Sequence, residues 1–176
     1  LCQRVHEIAG FQGQFTSVDV TGYQSVITQA VKDAYEDIQR YRKEWNWLKS
    51  TRTINVSDAA TEYTIEELWA GATPDFAEYR FIDYHRTRGI FRLIEVPYDA
   101  FVLMDFSSWG NKEPYYWSSR PWDKALLISP VDQVYTLDLH YTKKLDVLTV
   151  NTSVPKIPDR HHQLIVYGAL MKVSTF

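Results

Sequence analysis

One apolar stripe near the start of the chain constrains its fold more than any other feature. Between Tyr23 and Leu48, apolar residues recur every three or four positions and charged residues occupy the opposite side, as in an amphipathic helix. The stripe comprises Ile27, Ala30, Val31, Ala34, Tyr35, Ile38, Tyr41 and Trp45. The pattern predicts one helix from Tyr23 to Leu48, about 40 Å long. Because that length exceeds the diameter of an ordinary domain of this size, we expect part of the stripe to contact a neighbouring subunit.

Two tryptophans, Trp45 and Trp47, end this predicted helix just before the sequence changes to strand-like alternation. Tryptophans in this position usually pack against the sheet that follows, so we predict that both are structural anchors. Aromatic rings beside basic residues can also stack on nucleic-acid bases. The formal net charge of −3, however, does not provide the basic surface of a nucleic-acid-binding domain. Sequence-specific binding of nucleic acid is therefore disfavoured.

Alternating polar and apolar residues follow the helix and indicate a β region. Its clearest strand runs from Val134 to Thr142. Residues 51–56 and 62–64 predict a hairpin-like start to the region, joined by a turn. Pro97 predicts a short internal helix, because proline is tolerated in the first turn of a helix.

The last part of the chain predicts a helix after Asp159, which is a typical N-cap residue. Helices from both ends of the chain can then pack together and leave the β region as an insertion. The expected fold class is α+β: a long N-terminal amphipathic helix and a C-terminal helix packed together, with an inserted antiparallel β lobe containing a short helix. Its three parts are the N-terminal helices in residues 1–48, the inserted β lobe in 49–150 and the rejoining C-terminal helix in 151–176.

An aromatic-rich segment, residues 107–123, mixes five aromatic residues with turn-forming residues and is predicted to be a loop. Three interpretations remain open: a lid over the β core, a protein interface, or a carbohydrate-binding platform. The interface interpretation rests on the enrichment of Trp and Tyr at protein contacts. The candidate interface residues of the whole chain are Tyr35, Tyr41, Trp109, Tyr115, Tyr116 and Trp117.

The sequence contains no pattern typical of a catalytic, cofactor or metal site. Its seven glycines are scattered and form neither a nucleophile elbow nor a phosphate-binding loop. The strongest cluster of metal-ligand residue types is Asp159, His161 and His162. Adjacent helical residues point about 100° apart, and the cluster lacks the i, i+4 histidine pair of a helical zinc site. We therefore expect no enzyme activity, no cofactor and no metal.

Cysteine content and hydropathy bear on the compartment. Cys2 is the only cysteine, which excludes an internal disulfide and suits a reducing compartment. No segment approaches the roughly 18 consecutive apolar residues of a membrane span, so we expect folding in the cytoplasm and no membrane partner. Because the chain begins at Leu1 and ends at Phe176 within a helical pattern, we expect both ends to extend further in the gene product.

Three segments occur in an order that resembles the head-to-tail adaptor proteins of tailed bacteriophages, also called connector or head-completion proteins. The first is VKDAYEDIQ (31–39), which leads into Trp45-Asn46-Trp47. The second is EVPYDAF (95–101), similar to a short internal helix that follows a strand in that family. The third comprises LLISPV (126–131), the strand at 135–141, and IPDRHH (157–162) followed by IVYGAL (165–170). Each segment is weakly specific alone, but their order and spacing together are fairly specific.

This resemblance implies a structural virion protein without catalytic residues. It implies a homo-oligomeric ring, expected to be dodecameric, that lies beneath the portal protein, extends the DNA channel and provides a docking platform for tail or neck proteins. Double-stranded DNA would pass through without sequence-specific binding. The protein would reside in the virion neck, between capsid and tail, after assembly in the host cytoplasm. The alternative that remains open is a carbohydrate- or receptor-binding β module of a virion.

Overall fold

The computed structural model describes residues 1–10, 22–42, 44–57, 60–70, 72–86, 89–106, 113–149 and 153–174. In these residues the chain forms α-helices and β-strands in mixed order. The helices are α1 (Cys2–Ile8), α2 (Tyr23–Tyr41), α3 (Ile65–Trp69), α4 (Tyr98–Leu103) and α5 (His162–Val173). The strands are β1 (Lys49–Val56), β2 (Glu62–Tyr63), β3 (Phe76–Arg86), β4 (Gly89–Arg92), β5 (Ile94–Glu95), β6 (Tyr116–Ser119), β7 (Leu126–Ile128) and β8 (Tyr135–Lys143).

The chain divides into two compact units. The helical unit comprises Leu1–Leu48 and Leu145–Phe176, and the β unit comprises Lys49–Lys144. The protein thus combines helices with two sheets in which antiparallel pairing dominates, in agreement with the expected mixture of α and β structure.

The core of the helical unit forms where α1, α2 and α5 meet. The apolar stripe of α2 supplies much of it, as the sequence pattern predicts. Its buried residues are Val5, Ile27, Ala30, Val31, Ala34, Tyr35, Ile157, Ile165, Val166 and Ala169. Small residues allow α2 and α5 to approach closely, because a Cβ atom added at Gly168 would lie 3.1 Å from the Cβ atom of Ala34.

A polar network joins the segment that precedes α5 to α2. The Tyr35 hydroxyl donates to Asp146 Oδ2 (3.0 Å) and accepts from the backbone N–H of Lys156 (3.0 Å). The buried Gln39 side chain pairs with the backbone of Asp146: Nε2 donates to the carbonyl (2.9 Å) and Oε1 accepts from the N–H (3.0 Å). Buried polar groups are costly to leave unpaired, so this network holds Asp146 and Lys156 in place against α2.

Helix α2 is shorter than the sequence pattern predicts. It ends at Tyr41, and Arg42 has an extended backbone with φ −145° and ψ 107°. The indole Nε1 of Trp45 folds back and donates to the Ile38 carbonyl (2.8 Å), one of the last four carbonyls of the helix. Asn46–Leu48 form a separate 3₁₀ turn. The prediction of one helix to Leu48 is therefore wrong, and the 19 residues of α2 span about 28 Å.

Two four-stranded sheets contribute to the core of the β unit. Sheet A has the strand order β1-β8-β3-β4, and sheet B has the order β2-β7-β6-β5. Strand β8 pairs with β1 over eight residues, from Lys49 opposite Thr142 to Val56 opposite Tyr135. Alternate residues of β8 face the core, as the sequence pattern predicts: Tyr135, Leu137, Leu139 and Tyr141.

The connections between strands differ from the sequence-based expectations. Strands β1 and β2 do not form a hairpin, because β1 pairs with β8 in sheet A and β2 pairs with β7 in sheet B. Strands β4 and β5 belong to different sheets, with the buried Leu93 between them. Strand β5 pairs with β6 in parallel, which differs from the expected antiparallel lobe. The first of these differences arises where the chain crosses from sheet A to sheet B, whereas β5 and β6 both belong to sheet B.

The start of the last helix also differs from the prediction. Asp159 is not its N-cap, because Asp159–His161 form a 3₁₀ turn that follows Pro158, and α5 begins at His162. Pro158, which immediately precedes the 3₁₀ turn, is suited to a helix start because proline has no backbone N–H to donate.

Candidate interaction surfaces

Two of the predicted interface residues lie in hydrophobic cores. Tyr35 is fully buried in the core of the helical unit. Trp117 is buried in the β unit, where its ring meets the ring of Tyr79 edge-on with centroids 5.8 Å apart. The aromatic-rich segment is therefore not only a loop: its described part includes strand β6, which lies between β7 and β5. Burial leaves Tyr35 and Trp117 no surface for a partner, so we remove both from the candidate interface.

The other predicted interface residues have surface available, except one that lies outside the described residues. Tyr41, at the end of α2, is 88% exposed. Tyr115 is exposed and contacts Phe91 and Tyr116, with ring centroids 5.2 and 4.8 Å away. Trp109 lies outside the described residues. Tyr41, Tyr115 and Tyr116 therefore stay candidates for contact with a partner.

The two predicted anchors stack on each other after the end of α2. The ring centroids of Trp45 and Trp47 are 4.4 Å apart, with 18° between the ring planes. Both rings lie near the imidazole of His161, with centroid distances of 6.5 and 5.9 Å. Trp47 also packs against the core of the helical unit. These contacts join the end of α2 to the start of α5 within the helical unit, whereas the sequence-based prediction placed the two rings against the sheet that follows.

Helix α5 has apolar residues on two opposite sides. Its buried side comprises Ile165, Val166 and Ala169. Leu164, Tyr167 and Met171 recur at i, i+3 and i+7 on the other side and are exposed, Tyr167 to 57% and Met171 to 72%. We call these three residues the α5 outer face. This face was not predicted, although its signal is present in the sequence: eight of the twelve residues of α5 are apolar, which leaves no polar side.

Helix α2 shows what a solvent-facing side looks like in the same unit. Its outer side contains Gln29 hydrogen-bonded to Asp33 (2.6 Å) and Arg40 paired with Glu36 (2.9 Å). Such i, i+4 polar pairs are typical of an exposed helix surface. A helix that is apolar all round is normally covered on all sides. The contrast makes the α5 outer face a candidate interaction surface.

A second exposed apolar surface lies on the β unit at α4. Phe101 faces the core and is buried, while Val102 and Leu103 are exposed, Leu103 to 85%. The ring of Trp122, 68% exposed, meets the ring of Tyr98 edge-on with centroids 5.2 Å apart. We call Tyr98, Val102, Leu103 and Trp122 the α4 patch. Scattered exposed apolar residues are ordinary, but adjacent ones on one helix mark interaction sites.

The outer side of sheet A is charged. Asp83 and Asp138 lie directly opposite each other on β3 and β8, an arrangement that costs stability unless each charge is compensated. Arg92 donates to Asp83 (3.0 Å), and His85 lies 2.6 Å from Asp138 through Nε2. The hydrogen bond from the Thr53 hydroxyl (2.8 Å), together with the contact from His85, lowers the pKa of Asp138 below its usual value. This side of the β unit is therefore polar and internally paired, unlike the α4 patch.

Comparison with known families decides what kind of protein has these surfaces. The family model of the SU10 adaptor protein matches residues 4–176, which is nearly the whole chain. The chain belongs to the SU10 adaptor protein family. Because this is a family of phage head-tail adaptors, the protein is a structural virion component of the adaptor type, and the resemblance seen in the sequence is confirmed at that level. No curated protein matches the chain.

One group of residues in this SU10 family member resembles a catalytic triad. The Thr51 hydroxyl lies 3.0 Å from Nδ1 of His140, whose Nε2 lies 3.3 Å from Asp83 Oδ2. A triad also needs N–H donors directed at the developing oxyanion. Here the three residues lie on the adjacent strands β1, β8 and β3 of sheet A and form a polar, paired surface.

Within the described part of this adaptor, no group of three or more His, Cys, Asp or Glu side chains is arranged to hold a metal ion. None of its helices there combines the length and the apolar character that crossing a bilayer requires.

Proposed function

We propose that the protein is one subunit of a homo-oligomeric ring that lies beneath the portal protein, extends the DNA channel and offers tail or neck proteins a docking platform. The observation that supports this most is the α5 outer face. Its residues Leu164, Tyr167 and Met171 are exposed in the single chain, although the helix is apolar all round. A second subunit that covers this face would satisfy the expectation for such a helix.

Ring formation also accounts for exposed apolar residues on both units. The α5 outer face belongs to the helical unit and the α4 patch to the β unit. An obligate subunit interface buries on the order of 2,000 Å² or more and is rich in apolar residues. Tyr41, Tyr115 and Tyr116 are left for contacts with portal, neck or tail proteins, because aromatic residues are enriched at such interfaces.

The distribution of charge is compatible with a channel that lets DNA pass. The helical unit has eight basic and eight acidic residues, and the β unit has eleven basic and fourteen acidic residues. Tight binding to DNA needs many Lys and Arg contacts with phosphates. A balanced or slightly acidic chain favours passage of double-stranded DNA without retention and without sequence-specific contacts.

The ring is tested by measuring the mass and symmetry of the purified protein, alone and mixed with portal protein. Analytical ultracentrifugation gives the mass, and electron microscopy gives the number of subunits, expected to be twelve as in the family resemblance. We expect rings attached to one face of the portal. A chain that stays monomeric at every concentration tested, including with portal present, would contradict the proposal.

The alternative, a carbohydrate- or receptor-binding β module, is favoured by one observation. Trp122 is 68% exposed and contacts Tyr98, which is the kind of aromatic surface that sugars bind. A glycan array probed with the wild-type chain and with Trp122→Ala separates the two functions. The adaptor proposal expects no glycan signal from either protein, whereas the alternative expects a signal that Trp122→Ala abolishes.

A further inference from the structure

We propose that neighbouring copies of this chain join through two different surfaces: the α5 outer face of one copy docks on the α4 patch of the next. The inference rests on the proposed ring and names the residues that form its repeating contact. Each copy would give one surface to each of its two neighbours. Such a head-to-tail contact generates a closed ring when the rotation between copies closes.

The two surfaces match in apolar character. The α5 outer face presents Leu164, Tyr167 and Met171, and the α4 patch presents aliphatic and aromatic side chains of similar size. The α4 members are Tyr98, Val102, Leu103 and Trp122. Both surfaces combine an aromatic ring with flexible aliphatic neighbours, which is the composition of the centre of a protein interface. One contact between them would cover both apolar surfaces at once.

Each surface has an exposed charged residue beside it that can pair with one on the other surface. Arg160 is exposed in the 3₁₀ turn that precedes α5, four positions before Leu164 and next to the exposed carboxylate of Asp159. Asp99 lies three and four positions before Val102 and Leu103 and is also exposed, so a negative charge lies beside the α4 patch. Glu95 adds a second exposed carboxylate on the neighbouring strand β5. Opposite charges at the rim of an apolar contact select the partner and fix its orientation.

The same observations favour this contact over one in which two copies of α5 pair with each other. A symmetric α5 contact would cover the α5 outer face and leave the α4 patch exposed. The head-to-tail contact covers both surfaces and lets Arg160 pair with Asp99.

Two single variants test the contact, because each inactivates one surface. Tyr167→Glu adds a charge to the α5 outer face, and Leu103→Glu adds a charge to the α4 patch. Both residues are exposed, so we expect the far-ultraviolet circular dichroism of each variant to match the wild type, and its melting temperature to match that of the wild type at a concentration where the wild type is monomeric. Each variant alone should fail to form rings. An equimolar mixture should form a 1:1 dimer and stop there, because only one working pair of surfaces remains.

Charge reversal gives an independent test of the pairing and its orientation. We expect Arg160→Glu and Asp99→Arg each to weaken assembly by about tenfold or more in Kd, within the range of interface hot spots. The double variant should recover most of that loss, since the pair is restored with its signs exchanged. Gln29→Glu on the charged outer side of α2 is the matched control and should leave assembly unchanged.

The outcomes separate this inference from the proposed function. Rings that form normally with Leu103→Glu, or a mixture of the two variants without a 1:1 dimer, would overturn the contact and leave the ring in place. Variants that form normal rings but no longer bind portal would assign these surfaces to the portal and also overturn the contact. A wild-type chain that never assembles would overturn the ring and the contact together.

Discussion

At the scale of single residues, the hydroxyl of Tyr35 holds two backbone regions together. It donates to Asp146 Oδ2 and accepts from the N–H of Lys156, both at 3.0 Å. Tyr35→Phe removes both hydrogen bonds and leaves a carboxylate and an N–H without that partner. We expect the free energy of unfolding to fall by about 1–3 kcal/mol, measured by urea denaturation followed by circular dichroism.

The control for this prediction is Tyr41→Phe, because Tyr41 is 88% exposed on the same helix. Its effect should stay within about 0.5 kcal/mol. The pH dependence provides a second check. Burial raises the pKa of Tyr35 to about 12, so its contribution is fully present below about pH 10 and is lost as the pH rises toward 12. An equal alkaline loss in wild type and Tyr35→Phe would contradict this assignment.

The charged outer side of sheet A predicts a dependence on acid pH. The Thr53 hydroxyl, and next the His85 imidazole, lower the pKa of Asp138 below its usual value. Because the folded-state pKa is the lower one, the contribution of Asp138 is present above about pH 4 and is lost as the pH falls through the folded-state pKa. We expect the urea midpoint of the wild type to fall more steeply below about pH 5 than that of Asp138→Asn.

Asp99→Asn is the matched control for the acid measurement, at a protein concentration where wild type and variants are all monomeric. Asp99 is exposed at the start of α4, and no ion pair between it and another described residue is present. Its variant should follow the wild-type pH profile closely. If Asp138→Asn and Asp99→Asn have the same profile as the wild type, the pairing of Asp138 on the sheet does not contribute to stability.

At the scale of secondary-structure elements, some features could be predicted from the sequence because they depend on local periodicity. Strand β8 alternates as its sequence does, and the stripe of α2 from Ile27 to Tyr35 forms the core of the helical unit. The end of α2 could not be predicted, because it depends on the Trp45 indole folding back to the Ile38 carbonyl. In the sequence, the helical spacing of apolar residues continues to Trp45, although this tertiary contact ends the helix at Tyr41.

Strand β6 shows a second limit of prediction from the sequence. It has four residues within a segment rich in turn formers, and Trp117 is buried only because β7 and β5 flank it. An aromatic side chain in such a segment gives no sign of whether it faces a core or a partner. For the same reason, only some of the candidate interface residues were predicted correctly to have exposed surface. Tyr41 and Tyr115 are exposed, whereas Tyr35 belongs to the core.

The close approach of α2 and α5 predicts that Gly168 cannot accept a larger side chain. A Cβ atom at Gly168 would lie 3.1 Å from the Cβ atom of Ala34, which is itself fixed to a helix backbone. We expect Gly168→Leu to lower the free energy of unfolding by about 1–3 kcal/mol despite the higher helix propensity of leucine. Thermal and urea denaturation measure the change.

A double-mutant cycle with Ala34→Gly shows whether the helix contact is the cause. Ala34→Gly alone should cost about 1 kcal/mol through helix propensity. Because it opens space for the leucine, the double variant should be more stable than the sum of the two losses by about 0.5 kcal/mol or more. Strict additivity would place the cost of Gly168→Leu away from Ala34.

At the scale of the whole molecule, the chain enters and leaves the β unit at neighbouring positions. Lys49, the first residue of the unit, lies opposite Thr142 in the antiparallel pairing of β1 with β8. Residues opposite each other in such a pair have Cα atoms about 5 Å apart. Just after β8, the N–H of Lys144 donates to the Asp75 carbonyl (2.6 Å), which holds the exit of the chain to the same unit. Both units also have their own buried core.

These facts predict that the two units fold separately. We expect a fragment of residues 49–144 to fold alone. We also expect the helical unit to fold when a four-residue Gly-Ser linker replaces residues 49–144, because such a linker spans up to about 14 Å. Circular dichroism melts and dispersed NMR spectra would show cooperative folding of each. A fragment of residues 57–144 is the control: it lacks β1 and removes Ile54 and Val56 from the core, so it should lose that cooperativity. An unfolded 49–144 fragment, together with a single melting transition of the full chain, would contradict this prediction. The β unit would then depend on the helical unit for its stability, and the two units would fold together.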